Sequence, residues 1–164
     1  MATLLVKKGD TKRLPKAAKF LIGCGWNPAN PGDEKVDLDV WVIRHHTNGE
    51  GEPICWANQD LHRPDLGANS EGNPYIATPE LDVIHKGDDT TGATSATDYD
   101  ETVALDLSTT PADVDYYDVF ITYYEDPDSG SGVTLGMASG IVCGIVDETT
   151  GNTVIATVAV GTKP

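Results

Sequence analysis

The chain has 164 residues and 17.4 kDa, and its 11 Lys plus Arg against 26 Asp plus Glu give a net charge of −15. That length fits one domain spanning 1–164 and buries enough surface to fold without disulfides. The charge argues against nucleic acid and anionic membrane as partners, because both need a basic face that displaces counterions.

Apolar residues make up 39% of the chain, with three Trp and six Tyr, which is enough for a core and argues against disorder. The opening residues MATLLVKKGD hold no apolar run of signal-peptide length. No stretch approaches the roughly 20 apolar residues of a membrane span. The expected location is therefore the cytoplasm.

Runs rich in β-branched and aromatic residues recur between Gly, Pro, Asn and Asp. They predict strands over 20–25, 36–43, 54–57, 81–86, 102–107, 118–124, 141–146 and 153–160. No window sustains a 3.6-residue period, and the helical candidates are single turns at 15–19 and 108–114. The fold class expected is all-β, a β-sandwich of two packed, mainly antiparallel sheets with long acidic loops. DETTGN at 147–152 reads as the loop of a β-hairpin. Segments 63–79 and 87–100 read as long loops, of the kind that carry function.

Carboxylates split unevenly, 18 Asp against 8 Glu, and Asp is favoured both in turns and as an oxygen ligand of hard cations. In VDLDVWVI, alternation puts Asp37 and Asp39 on one face of a strand, about 7 Å apart. Such like charges repel by about 4 kcal/mol if their oxygens approach 4 Å at an effective dielectric of 20. A solvated edge holds them apart; a divalent cation binds them together. Downstream, Asp88, Asp89, Asp98, Asp100 and Glu101 fall within fifteen residues, interleaved with Thr and Ser and with no Lys or Arg. Gly92 supplies a turn that lets this loop fold back. The loop offers the 6 to 8 oxygens that Ca²⁺ takes, yet it lacks EF-hand spacing, and a solvated acidic loop explains its composition equally well.

GDDTTG at 87–92, then DYDE and LDLSTTPADVDYYDVFITYYED, resemble the TerD family of tellurium-resistance and stress-response proteins. GCGWN at 23–27, VDLDVW at 36–41 and ICWANQ at 54–59 match other family segments in order. The resemblance implies an aspartate-rich sandwich binding one or two Ca²⁺ at one end. It further implies a bacterial or phage-carried stress-response protein without enzymatic activity, whose partners are other, unidentified proteins. By position, Asp37 and Asp39 correspond to the strand ligands. Asp88, Asp89 and Gly92 fall in the family's loop, and Asp100 with Glu101 at its end, while Asp98 has no clean counterpart. Ala93, Thr94 and Ala96 replace a more acidic loop centre, and Tyr99 separates two aspartates. The match stops at Pro164, before the family's last strands, so a C-terminally shortened member is expected. The competing reading is a small-ligand-binding or virion-surface sandwich that has lost the metal.

The remaining motifs are weaker. Cys24, Cys55 and Cys143 lie far apart among apolar residues, as buried reduced thiols do. His45, His46, His62 and His85 lack a metal-site spacing and read as exposed loop residues. Trp26, Trp41 and Trp56 read as packing residues, and Asn58 and Gln59 as strand-end hydrogen-bonding groups. No G-x-S-x-G or P-loop pattern occurs.

Overall fold

Alternating burial along each long run decides the architecture. The structure, a computed structural model, describes residues 18–28, 30, 36–92, 99–124, 135–150 and 153–159. Nine strands are formed among them: β1 (Lys19–Pro28), β2 (Asp37–His46), β3 (Gly51–Ile54), β4 (Ile76–Ala77), β5 (Val83–His85), β6 (Glu101–Asp106), β7 (Val114–Tyr124), β8 (Ala138–Asp147) and β9 (Thr153–Ala159). Every pairing is antiparallel. One sheet has the order β4-β5-β6-β1-β8-β9 and the other β3-β2-β7. The all-β, two-sheet expectation is met.

Leu38, Val40 and Val42 of β2, every second residue, are at most 2% exposed and pack with Ile54 of β3. From the larger sheet, Phe20, Cys24 and Trp26 of β1, Val83 of β5 and Val103 of β6 join the same core. Burying each aliphatic or aromatic side chain of this kind is worth about 1.5–3 kcal/mol. On β1 and β8, a Cβ on Gly23 would sit 2.9 Å from the Tyr99 side chain, and one on Gly144 would clash with the Tyr99 hydroxyl. Tyr99 thus lies across two glycines, an aromatic cover for bare backbone.

Three elements differ from the sequence expectation. β3 ends at Ile54 instead of beginning there, because Asn58 Oδ1 accepts the Cys55 N–H at 2.8 Å and turns the chain. Upstream, His46 N–H donates to the Glu50 carbonyl at 2.8 Å, which closes the turn joining β2 to β3. Segment 108–114 forms turns and not a helical turn; Asp106 Oδ1 accepts the Ser108 N–H at 3.0 Å, and β7 begins as early as Val114. The loop at 63–79 is folded back on itself, with Arg63 N–H on the Tyr75 carbonyl at 2.7 Å, and it ends in β4. The β8–β9 hairpin forms as expected. Among the described residues no helix is long and apolar enough to cross a membrane.

Candidate metal centre

β3 pairs with β2 only from Val42 to His45, so the N-terminal half of β2 has β7 on one side and no strand on the other among the described residues. Backbone groups at such an edge need partners. Two side chains of the facing sheet supply them. Val40 N–H donates to Glu101 Oε1 at 2.7 Å, and His85 Nε2 meets the Val40 carbonyl at 3.1 Å. His85 Nε2 also lies 2.9 Å from Glu101 Oε1. Glu101, first residue of β6, and His85, last of β5, are fully buried. His85 is therefore not the exposed loop residue expected: its strand ends inside the sandwich.

The same edge gathers carboxylates. One ligand oxygen from each of Asp37, Asp39, Asp88 and Glu101 lies within 4.8 Å of the others. Asp39 and Glu101 are buried, and Asp37 and Asp88 half-buried. The chain reaches Asp88 through Gly87, whose φ of +90° sits in the left-handed region, and a Cβ there would lie 2.8 Å from the Asn73 carbonyl oxygen. Asn69 and Asn73 both donate through Nδ2 to the Asp88 carbonyl, at 2.5 and 2.6 Å, which fixes the backbone beneath its carboxylate.

The other expected residues are placed differently. Asp89 Oδ1 accepts the N–H groups of Thr91 at 3.1 Å and Gly92 at 3.0 Å, closing the turn. Gly92 has φ +69°, and a Cβ on it would lie 2.1 Å from Trp26 Nε1, so its part is to let the loop press on the indole. Asp100 Oδ2 accepts the Trp26 N–H at 2.8 Å. Asp98 lies outside the described residues. The structure thus brings four of the sequence-derived residues together and gives Asp89, Gly92 and Asp100 loop-shaping contacts. His85 was missed because the only signal for it was burial.

The electrostatics are unfavourable without a cation. Asp37 Oδ1, Asp39 Oδ1, Asp88 Oδ1 and Glu101 Oε2 are each buried without a hydrogen-bond partner. Burial, then the charges of Asp39 and Asp88, push Asp37 up to about 8. Burial, then Glu101 and Asp88, push Asp39 up to about 7. Asp88 is raised by burial, against the pull of His85. Glu101 is held well above the usual range by burial, opposed by the Val40 N–H and reinforced by Asp88. Burial pushes His85 down to about 4, so the ring is neutral near pH 7. The donor set is all-oxygen, and its four orphaned atoms fit a hard divalent cation.

A family model described as the TerD domain matches residues 1–159. The chain belongs to the TerD family. No curated protein matches it. A solved structure described as "unknown function protein SAV2460" is similar at TM-score 0.61 and 16% identity, over 87% of this chain and 71% of that one. At that identity the likeness is one of fold. The sandwich described above is therefore a TerD domain, in a tellurium-resistance family whose members are generally non-catalytic.

Proposed function

We propose that this TerD domain is a calcium-binding structural and sensory module of the tellurite and general stress response, taking one or two Ca²⁺. The observation that carries the reading is the set Asp37, Asp39, Asp88 and Glu101, each with a buried oxygen lacking a partner, within reach of one ion. Oxygen-only donors favour Ca²⁺ or Mg²⁺ over Zn²⁺, and a carboxylate-rich site on a loop suits the higher, more flexible coordination of Ca²⁺. Bound metal neutralises the cluster, and this chain's residues do the rest. Asn69 and Asn73 hold the Asp88 backbone, Glu101 bridges the sheets through Val40, and Asp89 shapes the turn. Ordering this end of the sandwich prepares a surface for another protein, in the cytoplasm; the net charge of −15 disfavours nucleic acid. The role is binding, as family membership supports.

Calorimetric titration with Ca²⁺ against Mg²⁺ tests this, giving stoichiometry and selectivity together. Asp37→Asn with Asp88→Asn is expected to abolish both the binding heat and the calcium-linked rise in melting temperature. No heat and no thermal shift in millimolar calcium would overturn the reading in favour of a sandwich that has lost its metal.

A further inference from the structure

Cys24 and Cys143, far apart in sequence, are partners in the β1–β8 ladder. The register runs unbroken from Phe20↔Asp147 to Gly25↔Val142, and Glu148 N–H donates to the Lys19 carbonyl at 2.9 Å just beyond it. Hydrogen-bonded and non-bonded pairs alternate along an antiparallel ladder. Counting from the Lys19–Glu148 bond, Leu21↔Val146 and Gly23↔Gly144 are bonded pairs, and Cys24↔Cys143 is a non-bonded one. Non-bonded pairs bring Cα atoms to about 4.5 Å and side chains closest together. That spacing lies inside the range a disulfide spans.

The two thiols share the inward face of the sheet, since Tyr99 covers Gly23 and Gly144 on the other. Both are free; Cys24 is fully buried, its Sγ 3.6 Å from the Leu38 carbonyl, whereas Cys143 is only partly buried. Ile145, two residues along β8 on the same face as Cys143, lines a groove of about 530 Å³ between the sheets, with Ile22, Tyr117 and Val119. The smaller sheet ends at β7 among the described residues, so β8 is covered less completely than β1. A small neutral oxidant therefore reaches Cys143 before Cys24.

We propose that Cys24 and Cys143 form an oxidisable dithiol that closes to a cross-strand disulfide when a hydroperoxide is the oxidant. The Cys143 sulfur attacks the peroxide oxygen, the O–O bond breaks, and with hydrogen peroxide the departing hydroxide takes the thiol proton as water, leaving a sulfenic acid. The Cys24 sulfur then displaces the hydroxyl from Cys143, the S–S bond forms, and the Cys24 proton leaves in a second water. Two electrons from two thiols reduce one peroxide. Buried Cys24 resolves the sulfenic acid before it climbs to irreversible states. This site is independent of the metal reading.

The test is peroxide treatment of the full chain, then alkylation in denaturant and peptide mapping without reductant. The expected result is a Cys24–Cys143 cross-link, reversed by dithiothreitol, with Cys55 (buried and outside this ladder) still alkylated. In Cys24→Ala, Cys143 should instead accumulate a dimedone-reactive sulfenic acid. In Cys143→Ala, Cys24 should remain a free thiol. Should either variant fail to fold, the wild-type map alone decides. Two alkylated thiols after treatment, or Cys143 overoxidised or linked between chains while Cys24 stays free, would overturn the proposal.

Discussion

β2 carries two clusters of carboxylates, one near each end, that solve the same physical problem in opposite ways. Towards its C-terminal end, Arg44 is 6% exposed and meets Glu52 at 2.6 Å, Glu80 at 3.0 Å and Asp82 at 3.0 Å. Asp82 is fully buried and fully partnered: Thr78 Oγ1 donates to its Oδ1 and Tyr117 Oη to its Oδ2 at 2.6 Å. Towards the N-terminal end, Asp37, Asp39, Asp88 and Glu101 converge with no Lys or Arg bonded to them among the described residues, and they keep four oxygens without partners. The first cluster contains its own cation; the second is complete only when one arrives. Burial of like charge is tolerable on either plan, but only the second plan makes stability depend on the medium.

The largest effect is expected where the cation is built in. Arg44→Met removes the charge and leaves Asp82 buried and uncompensated, which costs about 3–5 kcal/mol. Chemical denaturation should show that loss equally with and without calcium. A loss that calcium reverses would mean the two clusters are coupled, and the contrast would fail.

At the other end the cation can be added. Calcium at 100 times its dissociation constant should stabilise the wild type by about 2.7 kcal/mol. Asp39→Asn should cancel that gain and stabilise the metal-free protein by at least about 1 kcal/mol at pH 8, since it removes one of the mutually repelling charges. Melting curves of both proteins in chelator and in calcium read this directly. An Asn variant less stable than wild type in chelator would show that the carboxylate is satisfied without metal.

The contrast was only half visible in the sequence. Strand alternation places Asp37 and Asp39 on one face, and the family pattern brings in Asp88 and Glu101, because local spacing and motif order carry that information. The Arg44 cluster has no such signal. It depends on the tight turn at 78–83, where Leu81 adopts φ +60° and Leu81 N–H donates to the Thr78 carbonyl at 3.0 Å, aiming Glu80 and Asp82 at another strand. His85 was misread for the same reason: the strand expected over 81–86 contains it, but only the open edge of β2 shows that its imidazole is buried and bonded there. β4 is only two residues long and pairs with β5 across the turn at 78–83, too short a run for propensity to find. The facing of Cys24 and Cys143 is a matter of register between distant strands, which no local window encodes.

pH sharpens the comparison further. Asp37 and Asp39 titrate near 8 and 7 in the fold against about 4 unfolded, so the folded state holds their protons more tightly. The stability this confers is fully present below pH 4 and is lost as pH rises through 7 and 8. His85 acts in the opposite sense, because its lowered value makes acid destabilising as pH falls from about 6.5 towards 4. Between pH 6.5 and 8 the His85 effect has passed and the carboxylate trend remains. Metal-free stability should fall there by about 1 kcal/mol per pH unit. Saturating calcium should flatten the slope, and calcium binding at pH 7 should release protons, measurable as a buffer-dependent heat of titration. A metal-free profile flat over that window would remove the repulsion on which the comparison rests.

The smallest effect concerns how the open cluster is held in shape. Asn69 and Asn73 both donate to one carbonyl, that of Asp88, so neither is the sole support. Asn73→Ala removes the bond to the Asp88 carbonyl, worth about 0.5–1.5 kcal/mol, and a longer one to Glu71 Oε2 at 3.4 Å, and leaves the carbonyl partnered by Asn69. Calcium affinity should then fall by no more than about tenfold, the lower end of what supporting hydrogen bonds to metal ligands contribute. Asn69 carries more, since its Oδ1 also accepts the N–H groups of Glu71 at 3.1 Å and Asn73 at 2.9 Å, so Asn69→Ala loosens the loop as well as the carbonyl. The order expected from calcium titration is wild type, then Asn73→Ala, then Asn69→Ala, in decreasing affinity. At Arg44 the hydroxyls of Thr78 and Tyr117 also bond Asp82, but one guanidinium faces three carboxylates, so its loss removes three ion pairs at once. If Asn73→Ala alone abolished calcium binding, the loop would have no slack, and the metal end would be as rigidly specified as the arginine end.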